Sequence, residues 1–216
     1  MNAPARVEYE TLADLLRKLG GIPLERVRLH PPPGTARDQD VVEAEAHENR
    51  LFELIDGTLV EKAMGFRESL LAVALSGCLR TFVKANKLGV VTGSDGMMRL
   101  FPGMIRIPDV AFISWGRLPN GKVPSEPVPN IVPDLAVEVL SESNTPEEMA
   151  RKRREYFDAG VKAVWEFDLN ARAATIFLPD GSVRKVASQE VLRGEPVLPG
   201  FSVTMAELFA ELDNQG

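Results

Sequence analysis

Residues 135–169 constrain the fold more than any other stretch of the chain. An apolar run, Leu135–Leu140, leads into a strongly marked helix, and a second apolar run follows at Ala163–Leu169. Thr145 is a natural N-cap, Pro146 falls at the first helical position, and Glu148 completes a capping box. Gly160 ends the helix. Strand, helix and strand in that order form a crossover, which makes the two strands a parallel pair. The fold class that follows is α/β or α+β with a mixed sheet.

The other elements fit around this unit. In LFELIDGTLVEK, from residue 51, two short apolar runs flank Asp56-Gly57, a strong hairpin signal. Residues 67–87 carry the longest helical pattern, with Leu70, Leu71, Ala74, Leu75, Cys78, Leu79, Phe82 and Val83 on one side. Strands are expected at Val90–Thr92, Met97–Phe101 and Ile105–Ile113. A loop at residues 116–133, with five prolines, is the kind of insertion that rims a site. A hairpin turns at Pro179-Asp180-Gly181, and LPGFSVTMAELFAEL closes the chain with a helix. At the other end, residues 8–19 read as a helix ending at Gly20-Gly21, and the stretch to residue 40 reads as a proline-rich linker. The expected organisation is an N-terminal helix and linker over 1–40, then one domain over 41–216.

The composition narrows the function. With 216 residues, 44% hydrophobic and 26% charged, the chain can bury a real core, and general disorder is excluded. No apolar run reaches the roughly 18–20 residues of a membrane span, and the first residues lack a secretory pattern, so a cytoplasmic protein is expected. The single cysteine, Cys78, excludes an internal disulfide and a thiolate zinc cage, and its place in an apolar helix makes it a core residue. A net charge of −6 and a pI near 5.1 argue against a protein that coats nucleic acid through excess Lys and Arg. They leave open a nuclease whose carboxylates draw metal ions to the phosphates.

Two acids stand inside apolar strands. In IRIPDVAFI, Asp109 shares a strand face with Ala111 and Ile113; in PDLAVEVL, Glu138 shares a face with Asp134, Ala136 and Leu140. A lone carboxylate buried there costs several kcal/mol unless it is paired or bound to metal. Either acid alone is equally well read as pointing to water from a sheet edge, but two in neighbouring strands point to a site. On the following helix Met149, Tyr156 and Phe157 form the apolar stripe. Lys152 and Arg153 flank it, and either can bring its head group to the acids. The plainer reading of Arg151–Arg154 is a solvated basic run.

At these residues the chain resembles the Uma-two family of the PD-(D/E)xK nuclease superfamily. FELIDGTLVEK, IPDVAF, PDLAVEVLS, K-x-x-x-Y-x-x-x-G-V, VW-x-x-D and LPGF occur in the family's order over about residues 41–212. The resemblance implies a restriction-endonuclease-like core and a metal-dependent endonuclease acting on DNA. Asp109 matches the first metal-binding aspartate, Glu138 the acid of the D/E-x-K element, and Glu53 the family's upstream glutamate. The strand position two beyond Glu138 is Leu140, so the lysine role passes to Lys152 on the next helix. The implied catalytic set is Glu53, Asp109, Glu138 and Lys152, with Glu53, Asp109 and Glu138 as ligands of Mg²⁺ or Mn²⁺, hard cations that prefer carboxylate oxygens. Some positions depart from the family pattern: Gly65-Phe66-Arg67-Glu68 where many relatives carry a histidine, Ser141-Glu142-Ser143 for Ser-Pro-Ser, and Glu166, read as an exposed edge or an oligomer contact. His30 and His47, the only histidines, lie in the linker and in the polar stretch 41–50, a short helix or an extended lead-in, and read as surface residues. A lone domain that cuts two strands most simply does so as a two-fold homodimer. The alternative, motivated by the acidic balance, is a catalytically silent module of the same fold that binds other proteins.

Overall fold

The structure is a computed structural model that describes residues 9–48 and 50–213. The first eight residues of the expected N-terminal segment lie outside it. Helix α1 (Leu12–Leu19) begins at Thr11, whose side chain caps the Asp14 N–H, and ends at Gly20 in the left-handed region. Helix α2 (Asp38–Glu48) then leads into the hairpin β1 (Phe52–Ile55) and β2 (Thr58–Glu61). Its turn places Asp56 at φ 48° and Gly57 at φ 71°, the conformation that the Asp-Gly pair favours. Helix α3 (Phe66–Ala85) is followed by β3 (Gly89–Thr92), β4 (Met98–Phe101), β5 (Met104–Arg106) and β6 (Val110–Ser114).

The single strand expected over 105–113 is thus two. Pro108 has no N–H to give a ladder, and the chain changes sheets across Ile107-Pro108-Asp109. β5 pairs with β1 and β4, whereas β6 pairs with β3 and with β7 (Leu135–Leu140). Asp109 therefore stands at the junction of the two sheets, where its backbone N–H donates to the Val137 carbonyl at 2.9 Å.

The crossover unit forms as its sequence requires. Helix α4 (Pro146–Ala159) carries the chain from β7 to β8 (Ala163–Asp168), and these strands are parallel with Glu138 beside Glu166. The hairpin β9 (Ala173–Phe177) and β10 (Val183–Val186) completes a sheet ordered β10-β9-β8-β7-β6-β3. A small ladder of β11 (Val191–Arg193) and β12 (Ser202–Thr204) precedes α5 (Met205–Asp213).

Burial divides along the two faces of this sheet. Leu71, Leu75 and Leu79 of α3 and Phe209 of α5 pack on Val137, Val139, Trp165 and Phe167 on one face. On the other, Tyr156 of α4 packs with Ala111, Ile113, Ala136 and Val164. Cys78 is half-buried against the first cluster. The N-terminal segment is also packed: Leu15, Leu19, Ile22 and Val27 cover Ile55 and Val60 of the first hairpin. Because α4 covers the face that carries Glu138, the side chains of Lys152 and Tyr156 meet that acid.

Candidate active site

The acids and the cation read from the sequence converge between the two sheets and α4. Glu53, on β1, is 1% exposed; its Oε2 accepts from Arg106 Nη1 at 2.5 Å, and its Oε1 accepts from the Ile107 N–H at 3.1 Å. Lys152 Nζ bridges two strands, 3.0 Å from Glu138 Oε2 and 3.3 Å from Glu53 Oε1. The Tyr156 hydroxyl, one helical turn on, donates to Glu138 Oε1 at 2.6 Å. Asp109 Oδ2 accepts from the Val139 N–H at 2.6 Å, and its Oδ1 pairs with Lys62 Nζ at 2.7 Å. The Lys62 ammonium also donates to the Ile107 carbonyl.

This is a compensated arrangement. Burial alone raises the Glu53 carboxyl, but Lys152, Arg106 and Lys62 outweigh it and hold it well below the usual carboxylate range. Glu138 goes the other way, because burial outweighs Lys152, and the charges of Asp109 and Glu53 add to the rise. Burial disfavours the charge on Lys152, yet Glu138 and Glu53 more than restore it, so its ammonium is held more firmly than in water. Burial and the neighbouring Glu138 raise Tyr156 well above its ordinary value and keep its hydroxyl a donor. Arg106 is fully buried and is shared between Glu53 and Glu155.

Lys62, Arg106 and Tyr156 were not read as site residues from the sequence. Lys62 closes the FELIDGTLVEK motif as a cation after an apolar strand, and Arg106 interrupts an apolar run between Ile105 and Ile107. Tyr156 is part of the apolar stripe, as expected, and its ring is buried there, but its spacing of four from Lys152 also put both side chains on one face.

Elsewhere some expectations change. Glu166 is neither at an edge nor in the open: it is 7% exposed on an interior strand, and Arg153 Nη1 holds it at 2.6 Å while stacking over Phe177. Arg153 therefore does not reach the acids; Lys152 does. The capping box at Thr145 is only half formed, because the Glu148 carboxylate is taken by Arg26 at 2.9 Å and 3.1 Å. An open cavity of about 800 Å³ lies where β7 ends and α4 begins, with Ala63, Met64, Arg67, Ser141, Met149 and Arg153 in its wall. The proline-rich loop instead borders a smaller cavity beside Asp38 and Arg99. His30 and His47 lie together at another surface cavity, away from the acids.

The donor set suits a hard divalent ion. Such an ion needs only one or two carboxylates and keeps several waters, and Asp109 lies close enough for its charge to raise Glu138. Asp109 Oδ1 and the Ile107 carbonyl already surround a cation, the Lys62 ammonium. Among the described residues no three carboxylate, imidazole or thiol side chains stand at the spacing to share one ion. Glu53 fits less directly, since it is the most deeply buried of the three and is held by Arg106, Lys152 and the Ile107 N–H.

The fold and this acid-and-lysine cluster define a mixed α+β protein with a restriction-endonuclease-like core. The profile of the Uma2 family, described as "putative restriction endonuclease", matches residues 38–206, and the chain belongs to that family. A crystal structure of a protein from Anabaena variabilis ATCC 29413, described as a "putative nuclease belonging to DUF820", shares the fold. Its TM-score is 0.67 at 17% identity, over 75% of this chain and 91% of that one. No curated protein matches the chain. Among the described residues no helix is long and apolar enough to cross a membrane.

Proposed function

We propose that the protein is a metal-dependent endonuclease that hydrolyses phosphodiester bonds of DNA. The observation that carries this reading is Lys152 Nζ held between Glu138 and Glu53 at 3.0 Å and 3.3 Å, one strand away from Asp109. Asp109 and Glu138 would hold Mg²⁺ or Mn²⁺, with Glu53 acting through a water. When bound, the ion supplies an acidic, activated water and offsets charge on the phosphoryl oxygens. Lys152, kept charged by its two carboxylates, orients the attacking water and faces the developing negative charge. Tyr156 fixes one oxygen of Glu138 and leaves the other to Lys152. Arg106 and the Ile107 N–H fix Glu53 and so set the height of the lysine.

The test is cleavage of supercoiled plasmid and single-stranded DNA with Mg²⁺ or Mn²⁺, wild type beside Lys152→Ala. Nicking that requires the metal and disappears in the variant is expected, and the same loss is expected for Asp109→Ala and Glu138→Ala. Nicking that survives all three changes overturns the assignment. For two-strand cutting the proposal includes a homodimer, and sedimentation showing a monomer at micromolar concentration removes that part. Absence of both cleavage and divalent-ion binding would favour the silent interaction module.

A further inference from the structure

Lys62 has no place in the mechanism just described, yet it is closely engaged with the cluster. Its side chain is only 6% exposed, its ammonium lies 2.7 Å from Asp109 Oδ1, and it donates to the Ile107 carbonyl. Its charge also reaches Glu53 and Glu138. The other oxygen of Asp109 already accepts from the Val139 N–H at 2.6 Å. Oδ1 is therefore the oxygen not tied to the backbone, and a cation occupies it. The arrangement leaves no carboxylate of the three without a positive neighbour, which is how a buried acidic cluster remains stable without metal.

The Lys62 backbone is pinned, since its N–H donates to the Leu51 carbonyl at 2.9 Å. Beyond it the chain runs without regular structure through Ala63, Met64 and Gly65, all three in the wall of the 800 Å³ cavity. A lysine side chain has four flexible bonds and a strongly hydrated head group, so it can leave a pocket for water where an arginine fork holds on. The wall of that cavity begins at the next residue, Ala63.

We propose that Lys62 is a resident cation that the divalent ion displaces. It neutralises Asp109 in the metal-free protein, yields Oδ1 when the ion arrives, and turns toward the cavity, where its charge joins Arg67 and Arg153 on the path of an incoming phosphate. This rests on the metal-dependent reading above and adds an exchange step to it. Binding of the ion is then matched to release of a phosphate-seeking cation, which explains how an acidic chain presents positive charge to DNA only when its metal is in place.

The experiment uses the full chain stripped with EDTA and no nucleic acid. Calorimetry measures Mn²⁺ binding to wild type and to K62M, and acetylation by an N-hydroxysuccinimide ester, read by mass spectrometry, reports the exposure of Lys62. Two results are expected: K62M binds Mn²⁺ about tenfold more tightly than wild type, and Lys62 acetylation in wild type rises at least threefold on adding Mg²⁺. Neither response is expected in D109N. If Mn²⁺ binds wild type and K62M equally well, or if Lys62 stays protected while the ion is bound, the exchange is wrong and the nuclease reading stands. If no divalent ion binds wild type or K62M, both fall. Should K62M not fold, K62Q replaces it, because its amide still donates to the Ile107 carbonyl; the acetylation arm needs no variant.

Discussion

Arg26 belongs to the N-terminal segment that precedes the family-matched region, yet it forms the most complete buried ion pair outside the acid cluster. It is 7% exposed, and its partner Glu148, in the first turn of α4, is 1% exposed. The fork is satisfied at every nitrogen: Nη2 and Nη1 reach the carboxylate at 2.9 Å and 3.1 Å, Nη1 also donates to the Ser143 carbonyl at 3.2 Å, and Nε to the Glu61 carbonyl at 3.1 Å. Arg26→Met keeps the bulk and removes the charge, so Glu148 keeps one side-chain partner, the Asn144 amide at 3.0 Å. Leaving a buried carboxylate nearly alone costs about 3–5 kcal/mol. For a chain of this size that is a fall in melting temperature of roughly 6–20 °C, at about 2–4 °C per kcal/mol. Burial raises the Glu148 carboxyl, and Arg26, Lys152 and the Asn144 amide together lower it by more, for a net depression below its ordinary value near 4.5. A depressed carboxyl contributes stability above its ordinary value and loses it as pH falls through the folded value. The gap between wild type and variant must therefore narrow as pH falls from 7 to below 4.5. Thermal melts followed by circular dichroism at several pH values check this. The double variant Arg26→Met, Glu148→Met should recover most of the loss, since an apolar pair has no charge to desolvate. A single-variant loss under about 1 kcal/mol, or a double variant no more stable than the single, refutes the reasoning.

Lys152→Met should cost about 3–5 kcal/mol at neutral pH in urea denaturation. Because burial lowers the Lys152 ammonium less than Glu138 and Glu53 raise it, its contribution is complete below pH 10.5 and fades as pH rises through the folded value; an unchanged gap at high pH would contradict this. Tyr156→Phe keeps the ring in its cluster and removes the 2.6 Å bond to Glu138, for a loss of about 1.5–3 kcal/mol with an unchanged urea m-value. Gly20→Ala puts a Cβ 2.6 Å from the Glu148 nitrogen at φ +85°, and should cost at least 1–3 kcal/mol in a thermal melt. The neighbouring Gly21, with nothing near its Cβ position, serves as the control for left-handed strain alone.

Local signals placed most elements within a residue or two. The caps of α4, the Asp-Gly turn and the long apolar face of α3 are each decided by residues near in sequence, so their chemistry is visible in the chain. The division of residues 104–114 between two sheets was not visible, because Pro108 breaks a ladder in either reading and only the partners decide which sheet each half joins. The same holds for Glu166: alternation puts it beside Glu138, but its burial depends on Arg153 and on β9 covering the edge of β8. Of the site, Glu53, Asp109, Glu138 and Lys152 came from motif order. Arg106 and Lys62 did not, since their partners lie 53 and 47 positions away in the chain. An ion pair at such separation leaves no periodic trace.

The position of Lys152 follows from the geometry of a helix laid on a strand. Leu140 shares its strand face with Glu138 but stands at the end of β7, half-buried. A lysine there would have to turn back along the strand to meet the acid. From α4, which crosses that face, Lys152 comes down onto Glu138 and reaches Glu53 in the other sheet at the same time. Two carboxylates from two sheets thus hold one ammonium, and the helix that carries it is fixed at its first turn by Arg26 and at its last by Gly160. The N-terminal segment bears on the placement of Lys152 through that first turn. A shift of α4 moves Lys152 and Tyr156 together, and with them both partners of Glu138. Arg26→Met should consequently lower metal-dependent cleavage by more than its fraction unfolded accounts for. Cleavage that falls only in step with folding would mean that Arg26 stabilises α4 without setting its position.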